Sequence, residues 1–258
     1  MSLYDGNGNI INVGGTSESK FKGKNIIWLG DSIHAYSTPD GVTIPYLFGY
    51  NTGAKCYNWC QGGMTMALMN IPNYDCYSGV GMINAIVNKD FTVQETYAHE
   101  NHGTSQGNFL EQVAEMKSLD YSKVDYLVIE FGTNDVLKDV TLDNSENEFD
   151  TSTTGGALRY MIKTIQTAYP KLKVIVLNVQ KMTGWLDAEH SKSYDSKKQN
   201  EVINQVCEEM CVPLIDMYRL LGLNEYTSTT LLRDGLHRTH EGKLRQKNII
   251  ENQMNYFF

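Results

Sequence analysis

Three residues in the chain stand in settings that suit nucleophilic chemistry. Near the C-terminus, Arg233-Asp234-Gly235-Leu236-His237 places an acid three residues before a histidine. Both side chains can leave such a compact turn on the same side. The carboxylate then accepts from one ring nitrogen and leaves the other facing a hydroxyl. Hydrolysis by serine needs that arrangement: a hydroxyl made nucleophilic by a base, and the base held by a third group. The hydroxyl is Ser32, in Ile26-Ile27-Trp28-Leu29-Gly30-Asp31-Ser32-Ile33-His34. Donors aimed at a developing oxyanion complete the requirement. Gly63, in the bend at Gly62-Gly63, offers a backbone N–H, and Asn134, in Gly132-Thr133-Asn134-Asp135, a side-chain amide.

The elements that must hold these residues follow from the hydrophobic pattern. Ile26 to Leu29 is a short apolar run without proline, as a central strand of a parallel sheet should be. Gly30 permits a tight bend, and Ser32 falls just past the strand's carboxyl end, the edge where open α/β sheets bind ligands. Taken alone, Gly-Asp-Ser would read equally well as a helix cap. Further strands are expected over residues 54–59, 124–131, 171–178 and 212–215. Helices are expected over 43–50 (started near Pro45), 81–88, 109–119, 155–169, 193–211 and 240–256, with Thr153 or Thr154 capping the fourth of these. Residues 136–154 read as an acidic, polar loop, and 72–107 as the least regular stretch. Strands alternating with helices predict an α/β fold, a parallel sheet covered on both faces. Residues 1–23 read as a polar extension with a small hairpin around Asp5-Gly6-Asn7-Gly8, and residues 24–258 as one domain.

Composition narrows the partners. With 41 % apolar and 20 % charged residues the chain reads as an ordinary globular domain. A formal net charge of −8 argues against nucleic acid, whose phosphates call for basic patches. No apolar run approaches membrane-spanning length, and Met1 to Lys20 holds no apolar signal core. The five cysteines, Cys56, Cys60, Cys76, Cys207 and Cys211, are odd in number and scattered. They read as reduced, buried thiols, the last two one turn apart on a helix.

Four stretches together resemble the blocks of the SGNH (GDSL-type) serine hydrolases. They are Gly30-Asp31-Ser32, Asn58 to Gly63, Gly132-Thr133-Asn134-Asp135 and Asp234-Gly235-Leu236-His237, in the family's order and at its approximate distances. The resemblance implies a flavodoxin-like three-layer α/β/α sandwich with a five-stranded parallel sheet, and hydrolysis of esters through an acyl-serine. It implies Ser32 as nucleophile, with its own N–H an oxyanion donor alongside Gly63 and Asn134. His237 would be general base and then acid, with Asp234 orienting it. Gly63 is preferred to Gly62 because it stands five residues after Asn58, as the family glycine commonly does. The chain departs from many relatives around that glycine and at Gln180-Lys181-Met182, loops that shape the acyl and alcohol pockets.

Other polar residues receive plainer expectations. His34 is read as pocket wall rather than base, because neighbouring side chains on a turn diverge. His240 is read as the start of a helix. His99-Glu100-Asn101-His102 lacks the spacing of a helical zinc site and is read as surface loop. Asp31 and Asp135 are read as hydrogen-bonding supports for their own turns. Sixteen tyrosines, with Trp59 and Trp185 in rim loops, give modest support to a sugar-stacking surface. No cofactor or metal is implied. The favoured reading is a serine esterase that removes short acyl groups, such as acetyl, from a carbohydrate. A lipase, thioesterase or broad carboxylesterase on the same residues is the alternative. A carbohydrate-binding domain that kept the fold is the reading from outside enzymes.

Overall fold

Consecutive side chains of a strand leave on opposite faces of the sheet, and the first core strand has apolar residues for both. In β1 (Asn25–Gly30), Ile26 and Trp28 fill one face and Ile27 and Leu29 the other, all 0–1 % exposed. Only a sheet covered on both sides can bury such a run. The computed structural model, described for residues 3–4, 10–11, 18–35, 41–98, 109–182 and 196–258, has that sheet. β1 pairs in parallel with β2 (Lys55–Asn58) on one side and β3 (Tyr126–Glu130) on the other. β4 (Lys173–Leu177) and β5 (Leu214–Ile215) extend it beyond β3, also in parallel, giving the order β2-β1-β3-β4-β5.

Helices cover the two faces. One core joins Ile27, Leu29, Leu127, Ile129, Val174 and Val176 to α3 (Gly79–Asn88), the helix Leu110–Ser118, α5 (Thr154–Ala168) and α6 (Lys197–Glu209). The other packs Ile26, Trp28, Val128, Ile175 and Leu177 against α2 (Ile44–Thr52) and α7 (His240–Phe257). Each large apolar side chain so buried contributes about 1.5–3 kcal/mol. The caps are those the sequence offers: Thr43, Thr153 and Thr239 each accept from a first-turn N–H, and Pro45 sits where its missing N–H costs nothing. The result is an α/β/α sandwich with β1 and β3 side by side at its centre. At that pair the connections depart in opposite directions, which opens a crevice at the carboxyl ends of the strands.

Several boundaries differ from expectation for local reasons. The acidic stretch after β3 begins as a short helix, α4 (Thr133–Leu137), and the loop before His237 contains a turn of helix at Ser228–Leu231. Gly30 is needed for close approach rather than for a bend, since a Cβ there would lie 2.4 Å from the Glu130 carbonyl oxygen. Cys211 is a correction. Helix α6 ends at Glu209, so Cys211 lies beyond it at φ +53° and is exposed, while Cys56 is half-buried and Cys60, Cys76 and Cys207 are buried. None of the five is in a disulfide. Near the N-terminus Leu3–Tyr4 and Ile10–Ile11 pair as an antiparallel ribbon, and the turn between them lies outside the described residues. So do His99 to His102 and Trp185. Trp59, expected in a rim loop, is instead 2 % exposed and packed in the core, its indole N–H donating to Glu115. Among the described residues no helix is long and apolar enough to cross a membrane.

Candidate functional site

Ser32 is the first residue of α1 (Ser32–Ala35), directly past the carboxyl end of β1. The turn is held by Asp31, whose Oδ1 accepts from the Ile33 N–H at 2.9 Å while its own N–H donates to the Glu130 carbonyl. The other half of the site is a tight loop. Leu232 and Arg238 form an antiparallel bridge, and the Arg233 N–H closes onto the His237 carbonyl at 2.8 Å. Gly235, at φ +82°, takes the left-handed conformation the loop requires. Inside it Asp234 Oδ1 accepts from the Leu236 and His237 N–H groups at 3.0 and 2.6 Å. Its Oδ2 lies 2.7 Å from His237 Nδ1, and His237 Nε2 lies 3.0 Å from Ser32 Oγ. Residues 205 apart in sequence thus share one hydrogen bond. Gln180 Nε2 donates to the Leu236 carbonyl at 2.6 Å, tying the loop after β4 to the histidine's loop.

Burial sets the electrostatics. It lowers the pKa of His237 below its usual 6.5, although Asp234 pulls the other way. Burial also works to raise Asp234, but its bonds to the His237 ring and backbone outweigh that and hold it below the usual 3.8. The pair is therefore a neutral imidazole beside an ionised carboxylate near neutral pH, which leaves Nε2 free to accept from a hydroxyl.

Asn134 is the second residue of α4, which Gly132 starts at φ +119°. Its Nδ2 donates to the Met64 carbonyl at 2.9 Å, next to Gly63, which lies at φ +79°. Tyr74 donates its hydroxyl to the Gly63 carbonyl. Asp135, read as a support for its own turn, instead takes the Met66 and Ala67 N–H groups at 2.8 and 3.1 Å. Adjacent residues of α4 thus pin the segment that follows Gly63. Burial raises the Asp135 pKa to about 6.

His34 is not a pocket wall. It is fully buried, edge-on to Trp28 at 5.3 Å, within the core that α2 and α7 cover. Burial lowers its pKa to about 3, with Arg238 adding to the effect. Beside it lie residues that pattern reading passed over: Glu130 and Arg238, 3 % and 2 % exposed, and Gln246, fully buried. Glu130 carried a signal, as a charged residue closing an otherwise apolar strand. Arg238, directly after His237, carried another.

The sequence profile of the GDSL-like lipase/acylhydrolase family matches residues 73–244, a span that contains Asn134, Asp234 and His237. The chain belongs to that family. Membership supports hydrolysis of an ester in general. No curated protein matches the chain by sequence at a significant level. Among solved structures, a protein from Lactobacillus plantarum superposes with a TM-score of 0.67 at 17 % identity, over 92 % of this chain and 99 % of that one. A lipase/acylhydrolase from Enterococcus faecalis superposes with a TM-score of 0.53 at 18 % identity, over 90 % and 95 %. At such identities the likeness is one of fold, and it bears out the five-stranded parallel sheet and its flanking helices.

Proposed function

We propose that the protein is a serine esterase that works through an acyl-serine and removes short acyl groups, such as acetyl, from a carbohydrate. The observation that carries the mechanism is the placement of His237, 3.0 Å from Ser32 Oγ and 2.7 Å from Asp234 Oδ2. In this reading Ser32 Oγ attacks the ester carbonyl as its proton passes to His237 Nε2. The negative charge that develops on the carbonyl oxygen is taken by the Ser32 and Gly63 N–H groups and the Asn134 amide, whose bond to Met64 uses one of its two hydrogens. His237 then returns the proton to the departing alcohol oxygen. A water, deprotonated by His237, cleaves the acyl-serine and frees the acid. Asp234 stays ionised throughout and stabilises the imidazolium.

The carbohydrate half of the reading rests on aromatic side chains exposed at the surface. Tyr226, 82 % exposed, stands in the same connection as Asp234 and His237, and Tyr46 and Tyr50 stack on the outer face of α2. Exposed aromatic faces of this kind suit sugar rings. The test is hydrolysis of p-nitrophenyl esters, from acetate to long chains, by wild type and Ser32→Ala, followed by acetylated sugars. Short-chain activity lost in Ser32→Ala, with release of acetate from the sugars, is the expected result. A maximum at long chains would make it a lipase or thioesterase. No Ser32-dependent turnover would overturn the esterase reading and favour a glycan-binding domain.

A further inference from the structure

His34 follows the nucleophile by two residues, Arg238 follows the base by one, and a single side chain touches both. Arg238 Nε donates to Gln246 Oε1 at 2.6 Å, and Gln246 Nε2 lies 3.0 Å from His34 Nε2. A guanidinium only donates, so the amide oxygen must face it and the amide nitrogen must donate to the imidazole. His34 is therefore neutral, with its proton on Nδ1. Gln246 is 0 % exposed and lies within α7, so it meets no substrate.

We infer that Gln246 is a positioning residue that fixes the separation of Ser32 and His237. The inference rests on the esterase reading. An apolar side chain would fill this space in the core equally well, but it would orient neither neighbour. The other ties run outward from the same two segments: Asn58 Nδ2 donates to the His34 carbonyl at 3.1 Å, and Gln180 holds the Leu236 carbonyl. Gln246 alone among these reaches across from one segment to the other. Arg238 is suited to the far end of the bridge because the Glu130 carboxyl offsets part of the cost of burying its charge. Its planar fork loses little freedom on being held. Displacing a reacting group by about 1 Å can cost about a hundredfold in rate, so a bridge that sets this separation acts on turnover without touching the ester.

Gln246→Leu, made in wild type and in His237→Ala, separates positioning from general stability. In the wild-type background kcat for p-nitrophenyl acetate should fall about 10- to 100-fold with KM within about twofold. In His237→Ala the same substitution should change the residual rate by less than about twofold, because the geometry it sets no longer matters. An equal fractional loss in both backgrounds, or kcat within about twofold of wild type in a folded variant, overturns the inference. If Gln246→Leu does not fold, Gln246→Glu, which keeps an acceptor for Arg238, takes its place, with a loss of about three- to tenfold and the same non-additivity. Ser32→Ala run alongside distinguishes the failures. Turnover surviving in Ser32→Ala removes the esterase reading, whereas a dead Ser32→Ala beside an unaffected Gln246 variant removes the bridge alone.

Discussion

The carboxylate of Asp234 holds His237 at two points, taking the backbone N–H on Oδ1 at 2.6 Å and the ring Nδ1 on Oδ2 at 2.7 Å. Because the Leu236 N–H also claims Oδ1, the two carboxylate oxygens have separate tasks. One builds the loop and the other sets the imidazole's tautomer.

That division makes Asp234→Asn informative. The two backbone donors will keep the amide oxygen, which turns the amide nitrogen toward His237 Nδ1. A donor facing Nδ1 forces the ring proton onto Nε2, which can then no longer accept from Ser32. Turnover should fall about 10³- to 10⁴-fold with the loop intact. Ester hydrolysis and the melting temperature, measured together, check this. A loss below about tenfold in a folded variant would show that Asp234 does not set the tautomer.

Asn134→Ala tests the oxyanion role. The substitution removes an amide donor and leaves the Met64 carbonyl without the 2.9 Å bond that holds it beside Gly63. A donor to the transition state alone should cost about 10²- to 10³-fold in kcat with little change in KM. A loss below about threefold, measured on p-nitrophenyl acetate, would remove Asn134 from that role.

The parts of this site that local chemistry dictates were legible in the sequence. An apolar strand ending in Gly30-Asp31-Ser32 must deliver its serine at the sheet's carboxyl edge, and an acid three residues before His237 can meet its ring across one turn. The sheet was legible for the same reason, since its central strands β1, β3 and β4 are short apolar runs between turn residues. What was not legible depends on register and on crossing partners. His34 could be assigned only by seeing that its side of α1 packs toward Trp28 and α7. Asp135 looks local, yet its partners are Met66 and Ala67, 69 and 68 residues away. Gln246 is one of several polar residues on α7, and nothing in its spacing separates it from those that face solvent.

The pH dependence of turnover should carry one acid limb. In the proposed mechanism His237 must be neutral to accept the Ser32 proton, and burial lowers its pKa from 6.5. kcat/KM should therefore rise through a single protonation with a midpoint below 6.5 and level off toward neutral pH. Initial rates on p-nitrophenyl acetate, corrected for background hydrolysis, measure it. A midpoint above 6.5 would mean that the Asp234 carboxylate outweighs burial.

Asp31 predicts an opposite trend in stability. Burial raises its pKa from 3.8 to about 7, with Asp135 adding to the effect. The folded protein thus keeps this carboxyl protonated where the unfolded chain has released it. A raised acid stabilises fully below its unfolded pKa of 3.8, and that contribution is lost as pH rises toward about 7. Within that window the loss approaches about 1.4 kcal/mol per pH unit. Asp31→Asn keeps an oxygen for the Ile33 N–H and carries no titrating proton, so its stability should fall less steeply. Urea unfolding of both proteins at several pH values across the window gives the two slopes. Wild type should lose its advantage over Asp31→Asn steadily between about pH 4 and pH 7 and lose no more above it. Parallel curves would show that Asp31 is ionised in the folded protein, with Arg238 as its counter-charge.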